Sequence, residues 1–196
     1  MNYLAHTFLS FSQEPLVYGQ FIADDIKGKQ WMEHNREVQK GILLHRFIDD
    51  YTDQHGLVME LKQKLHPSLG KFAGVALDVL FDHVLSLRWQ DYSKEPRIEW
   101  IQRSYSLLSE RKHEMTEKRR FILSKMIEHD WMNMYHTPEG TSRILEQMSR
   151  RISIENPLNR ASEAFLMHEK HIISTFDEFF PEILAAAQMK LDTFAP

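Results

Sequence analysis

Asp24, His45, Asp49, Asp82 and His83 are the residues of this chain whose types and spacing suit metal-assisted chemistry. Read Glu33 to Asp53 as a helix, and Val38, Ile42, His45, Asp49 and Thr52 recur at helical spacing and share one stripe. Leu44, Phe47, Ile48 and Tyr51 widen the apolar arc, so His45 and Asp49 sit one turn apart beside core residues, where an unpaired charge is costly. A cation would serve both. The segment Lys71 to Asp91 repeats the theme, with Asp78, Asp82, Leu85 and Trp89 on a stripe and Val75, Val79 and His83 beside it. Asp24 closes a shorter stretch that carries Val17, Gln20 and Phe21 on the same face, and Asp25 is expected to turn toward solvent. His6 belongs with Ala5 and Leu9 on a first helix.

Four successive segments thus place Asp or His on faces that otherwise read as core, the pattern of a metal site built between helices. The chain has no cysteine and no Gly-rich phosphate cradle, so any metal is held by His, Asp or Glu. Such donors suit Mn²⁺, Mg²⁺, Fe²⁺ or Zn²⁺, and the carboxylate-rich set points to Mn²⁺ or Mg²⁺. The chemistry such a site runs best is hydrolysis, because a bound ion acidifies its water and offsets charge on a phosphoryl oxygen, while Asp24 orients or deprotonates that water. The alternative for His45 and Asp49 taken alone is a hydrogen-bonded structural pair, and for His6 a capping or core histidine. Asp78 could simply bond a neighbour. His113, His129, His136, His168 and His171 have no partner at ligand spacing and read as surface or core.

The elements that must position these residues read as helices. The chain has 196 residues, 42% apolar and 27% charged, with only 7 Gly and 7 Pro, and it is scarce in alternating strand-like runs. An all-α bundle of about seven to nine helices in one domain, residues 1–196, is expected. Breaks are expected at Glu14-Pro15, Gly28, Gly56, His66-Pro67, Glu95-Pro96, Thr137-Pro138, Asn156-Pro157 and Phe180-Pro181. Thr137-Pro138 and Asn156-Pro157 look like helix starts, a capping side chain followed by proline in the first turn. The net charge of −4 argues against nucleic-acid binding. No secretory leader or membrane span is read, and a cytoplasmic protein is expected.

At these residues the sequence resembles the acyl carrier protein phosphodiesterases, a divergent branch of the HD phosphohydrolases. Four blocks carry the likeness: MNYLAH at Met1 to His6, GQFIADDIKG at Gly19 to Gly28, GILLHRFIDDYTD at Gly41 to Asp53, and LDVLFDHVLSLRW at Leu77 to Trp89. They span roughly the first half of the chain; Tyr3 stands where the family usually has Phe, and Gln20 where it often has Asn. The resemblance implies an HD-phosphohydrolase-like helical bundle and a Mn²⁺-dependent enzyme that releases 4′-phosphopantetheine from a serine of holo acyl carrier protein. It implies that Asp24, His45, Asp49, Asp82 and His83 hold or serve the metal, with His6 and Asp78 as second-tier members. Arg46 would neutralise the substrate phosphate, the alternative being a surface pair with Asp50.

An acyl carrier protein is small and acidic, so a docking face should be basic. Arg97 to Lys125 holds eight basic residues (Arg97, Arg103, Arg111, Lys112, Lys118, Arg119, Arg120, Lys125) against four acidic ones (Glu99, Glu110, Glu114, Glu117). Arg111, Lys112, Arg119 and Arg120 are the expected contacts, against the alternative of an ordinary solvated helix face. Two other readings remain open from the residues: a phosphohydrolase acting on a nucleotide or other small phosphoester, and a helical binding module that cuts nothing.

Overall fold

The structure, a computed structural model, describes residues 1–194. It is all-α, with no strand among those residues. The order is α1 (Tyr3–Phe8), α2 (Glu14–Ile22), α3 (Arg36–Gln54), α4 (Gly56–Leu69), α5 (Ala73–Leu87), α6 (Trp89–Tyr92), α7 (Arg97–Glu110), α8 (Glu117–Glu128), α9 (Trp131–Met134), α10 (Pro138–Arg151) and α11 (Ala161–Asp192), joined by short 3₁₀ turns. No helix among the described residues is long and apolar enough to cross a membrane.

Local chemistry sets several of these boundaries. Asn35 caps α3 by accepting the Val38 N–H and Thr116 caps α8 from Arg119; Thr137 caps α10 from Gly140 with Pro138 in the first turn, the one of these three starts that the sequence reading predicts. Gly28 takes φ +53° after the turn that carries Asp24, where a side chain would be strained. The Asn156-Pro157 signal opens only a 3₁₀ turn, Leu158–Arg160, and α11 begins after it at Ala161.

Two predicted breaks are absent. Pro67 lies in the last turns of α4, and Pro181 lies inside the 32-residue α11. An internal proline costs about 3 kcal/mol. Around Pro181, however, Phe176, Phe179, Phe180 and Ile183 are all buried, and each such side chain contributes roughly 1.5–3 kcal/mol. Phe176 and Phe179 pack on Phe81 of α5, and Phe180 packs on Phe8 of α1 and Tyr92 of α6, so burial on both sides of the proline outweighs the lost hydrogen bond.

The contact between α2 and α3 positions the acidic and imidazole side chains. Gly19 and Gly41 face each other there: a Cβ on Gly41 would lie 2.8 Å from the Leu16 carbonyl oxygen and 2.9 Å from Gly19 Cα. The two backbones therefore touch, which carries the turn after α2, with Asp24, against the middle of α3, with His45. Gly41→Ala would gain up to about 1 kcal/mol of helix propensity. The added methyl meets main chain that cannot rotate away, however, so the expected result is a net loss of about 1–3 kcal/mol, read as a lower denaturation midpoint at unchanged m-value.

Candidate active site

Asp49 gathers the site. One of its carboxylate oxygens is 3.2 Å from His6 Nε2 of α1, and the other is 3.1 Å from His45 Nε2, one turn back on α3. The two imidazoles stack with centroids 4.2 Å apart. Asp24 adds a second carboxylate, 3.1 Å from the same His45 nitrogen. His6, His45 and Asp49 each offer a ligand atom within 4.8 Å of the others, a group that could hold a metal ion. They lie in a cleft of about 330 Å³, whose mouth carries Asp24, 56% exposed.

The hydrogen-bond directions behind His6 fix which of its nitrogens is bare. Ser10 uses its hydroxyl proton on the His6 carbonyl oxygen, so its Oγ must accept from the Gln20 amide NH₂. Gln20 Oε1 therefore faces His6 Nδ1 at 2.8 Å, and Nδ1 is the donor. Burial, with the neighbouring His45 charge, lowers the His6 pKa and keeps that ring neutral. Its Nε2 lone pair is thus aimed at a carboxylate oxygen, two acceptors face to face, and a cation resolves the repulsion. This is the outer-shell arrangement of a ligating histidine. The residues fit a divalent ion.

His45 shows the counterpart. Burial opposes its charge, but the hydrogen bonds to Asp24 and Asp49 prevail and raise its pKa to about 9. Asp49, although burial works against its charge, is held far below the ordinary range, most strongly by the hydrogen bond from His45, and Asp24 is lowered by His45 and Arg119 against the same opposition. A proton on His45 therefore ties the two carboxylates together in the metal-free protein.

Arg119 is the member that the sequence placed wrongly. It was expected on a docking face, yet its side chain is 2% exposed, lying over the Phe21 ring and bonded to both Asp24 and Asp25. Asp25, expected in solvent, is only 8% exposed and is covered by Arg119, Thr116 and Lys118, which hold its pKa at about 2 although burial opposes them. A buried cation on α8 thus fixes the acidic turn after α2. Neither spacing nor composition revealed that link, because the partners are more than 90 residues apart.

The α5 residues take other places. Asp82 is fully buried and accepts the backbone N–H groups of Asn2, Leu4 and Ala5, capping the helix that carries His6, and burial raises its pKa to about 7. Asp78, one turn earlier, accepts from the Met1 amino group. His83 faces the other way, its Nδ1 donating to the Tyr135 carbonyl oxygen at 2.6 Å, with its ring against Phe165. Asp78 and Asp82 thus position α1, and His83 is not brought to the cluster. Arg46 donates to the carbonyl oxygens of Ile26 and Gly28, holding the loop behind Asp24. Arg111 lies over the Tyr18 ring and pairs with Glu114, Arg120 donates to the Met115 carbonyl oxygen, and Lys112 reaches Ser124 from an exposed position. The basic run is therefore not one open face.

These geometries predict the metal affinity. A divalent ion at His6, His45 and Asp49 would have to displace the His45 proton, so the affinity of an added divalent ion measured by calorimetry should rise between pH 6.5 and about 9. Over the same window the metal-free protein should lose stability, because the raised pKa stabilises the fold below 6.5 and that gain disappears through about 9. Gln20→Leu, which frees the His6 tautomer, should weaken divalent-ion binding by about 10- to 100-fold. Unchanged affinity in that variant would remove Gln20 from the site.

Comparison with known proteins adds the relationship. The profile of the family described as acyl carrier protein phosphodiesterase matches residues 1–183. A protein of that name from Enterobacter sp. (strain 638) is 27% identical over 195 residues, covering 97% of this chain and 99% of its own. One from Photorhabdus laumondii is 25% identical over 191 residues, covering 97% and 96%, and one from Escherichia coli (strain SMS-3-5 / SECEC) is 25% identical over 195, covering 97% and 99%. No solved structure matches the chain significantly. The family profile spans both the residues that build the cleft and the α5 carboxylates that support it, and the chain belongs to the acyl carrier protein phosphodiesterase family.

Proposed function

We propose that the protein hydrolyses the phosphodiester that joins 4′-phosphopantetheine to a serine of holo acyl carrier protein, leaving the apo protein, with Mn²⁺ as its metal. The observation that carries the reading is the bare His6 Nε2 converging with His45 and two carboxylates at the floor of an open cleft. A bound divalent ion supplies a water of lowered pKa and positive charge against the phosphoryl oxygens.

The chain's own groups do the rest. His6, His45 and Asp49 hold the ion, and Gln20 with Ser10 keeps His6 in the ligating tautomer. Asp24 is the acidic group at the mouth. Arg119 sits on its Oδ2, which leaves Oδ1 turned toward the cluster to accept a proton from the attacking water. Arg46 takes the role of a tether, since its guanidinium already donates to two carbonyl oxygens of the loop after Asp24.

An acidic carrier protein would meet the mouth of the cleft beside α8. Lys118 is 74% exposed there and 3.3 Å from Asp25, the neighbour of Asp24, with Lys112 exposed on the adjoining turn. Lys118→Glu should raise KM for holo acyl carrier protein and blunt its dependence on salt, with kcat little changed. An unaltered KM would move the docking face elsewhere.

The direct test is incubation of holo acyl carrier protein with the protein and Mn²⁺, with and without chelator, then a measurement of intact mass. Loss of the prosthetic group only with metal is expected. Asp24→Ala should cut the rate roughly a hundred- to ten-thousand-fold with the fold retained, since Arg119 keeps its pair with Asp25. No mass change with metal-loaded protein would shift the assignment to a small phosphoester. A chain that binds no metal and is indifferent to chelator would be a binding module.

A further inference from the structure

A second cleft opens beside the first. It has a volume of about 270 Å³ and lies between the start of α1, α9 and α10, walled by Trp131, Tyr135, Ile144 and Met148. Asn2 and Tyr3 line both clefts, so the two share a wall. The floor is continuous in side chains as well. The Arg119 guanidinium lies over Phe21 at 5.2 Å, Phe21 is 6.0 Å from Tyr3, Tyr3 is 6.4 Å from Trp131, and Arg151 lies over Trp131 at 5.0 Å. An aromatic row thus leads from the acidic turn at the metal cluster to the apolar cleft.

Resting on the proposed hydrolysis of holo acyl carrier protein, we infer that this second cleft holds the pantetheine arm of the substrate. A phosphodiester has two ester arms, and with phosphorus at the His6–His45–Asp49 cluster the arms must leave on different sides. The carrier protein is a folded domain and needs the exposed side, where Asp24 and Lys118 lie. The other arm is a narrow chain of apolar carbon broken by amides. It fits a cleft with mainly apolar walls that also offers the amide side chains of Asn2 and Gln147. Tyr3, at the junction, directs the chain from one cleft into the other.

Filling the cleft tests the assignment. Met148→Trp narrows it without touching the metal cluster, and Met148→Ala widens it in case the larger residue disturbs packing. KM and kcat for holo acyl carrier protein are measured with Mn²⁺, the binding of free pantetheine and of Mn²⁺ by calorimetry, and folding by thermal melt. In folded protein, each variant should lower kcat/KM and weaken pantetheine by about tenfold or more, with Mn²⁺ affinity unchanged. A folded Met148→Trp with wild-type KM and wild-type pantetheine binding overturns the inference while the proposed reaction stands. Wild-type protein that binds Mn²⁺ yet leaves holo acyl carrier protein intact overturns the proposed reaction, and the inference falls with it.

Discussion

Two imidazoles and a carboxylate are pressed together against the core of this protein, and their mutual neutralisation governs the arrangement around them. Asp49 is shared by His6 and His45, which stack on each other and cannot both carry a proton cheaply. The charge is divided instead. His45 holds a proton between Asp24 and Asp49, while His6 stays neutral with its tautomer set by Gln20 and Ser10. That division leaves one imidazole lone pair facing a carboxylate across 3.2 Å, a geometry that a divalent ion completes.

Keeping such groups together requires three helices to meet at fixed positions, and different devices hold each pair. Backbone contact at Gly19 and Gly41 locks α2 to α3. Asp82 and Asp78 of α5 grip the start of α1 through its amide groups and the Met1 amino group, and so hold in place the helix that carries His6. Arg119 reaches from α8 to both carboxylates of the turn after α2. The aromatic packing of α11 on α1, α5 and α6 supplies the core on which these polar devices depend, since buried ion pairs seldom stabilise a fold by themselves.

The asymmetry of the cleft comes from the same scaffold. Its charged side is built by the turn after α2, which Arg119 of α8 braces, and Asp24 and the nearby Lys118 are open to solvent. Its apolar side is built by α9 and α10, reached across Tyr3. The proposed substrate, a diester with one folded arm and one thin arm, would use both parts, whereas a small symmetric phosphoester would use only the first.

The helical class was legible because apolar residues recur at helical spacing and strand patterns are scarce. The inward placement of His45 and Asp49 on one helix was legible too, because a period of 3.6 residues fixes which side chains share a face, and the four motif blocks identified the family. Spacing within a segment could not say which segment meets which. Asp82 and His83 are adjacent in sequence, yet one caps α1 and the other turns to Tyr135, and Arg119 is buried although its basic neighbour Lys118 is exposed. Pro181 sits inside a helix because burial on both sides outweighs its lost hydrogen bond. The sequence by itself determined the helical class, the apolar faces and the pairing of His45 with Asp49 on one face, all local properties of chain stereochemistry. Which carboxylates gather at the cleft and which brace α1, and where the basic residues point, was decided by tertiary structure, because those choices depend on contacts and desolvation between residues far apart in the chain.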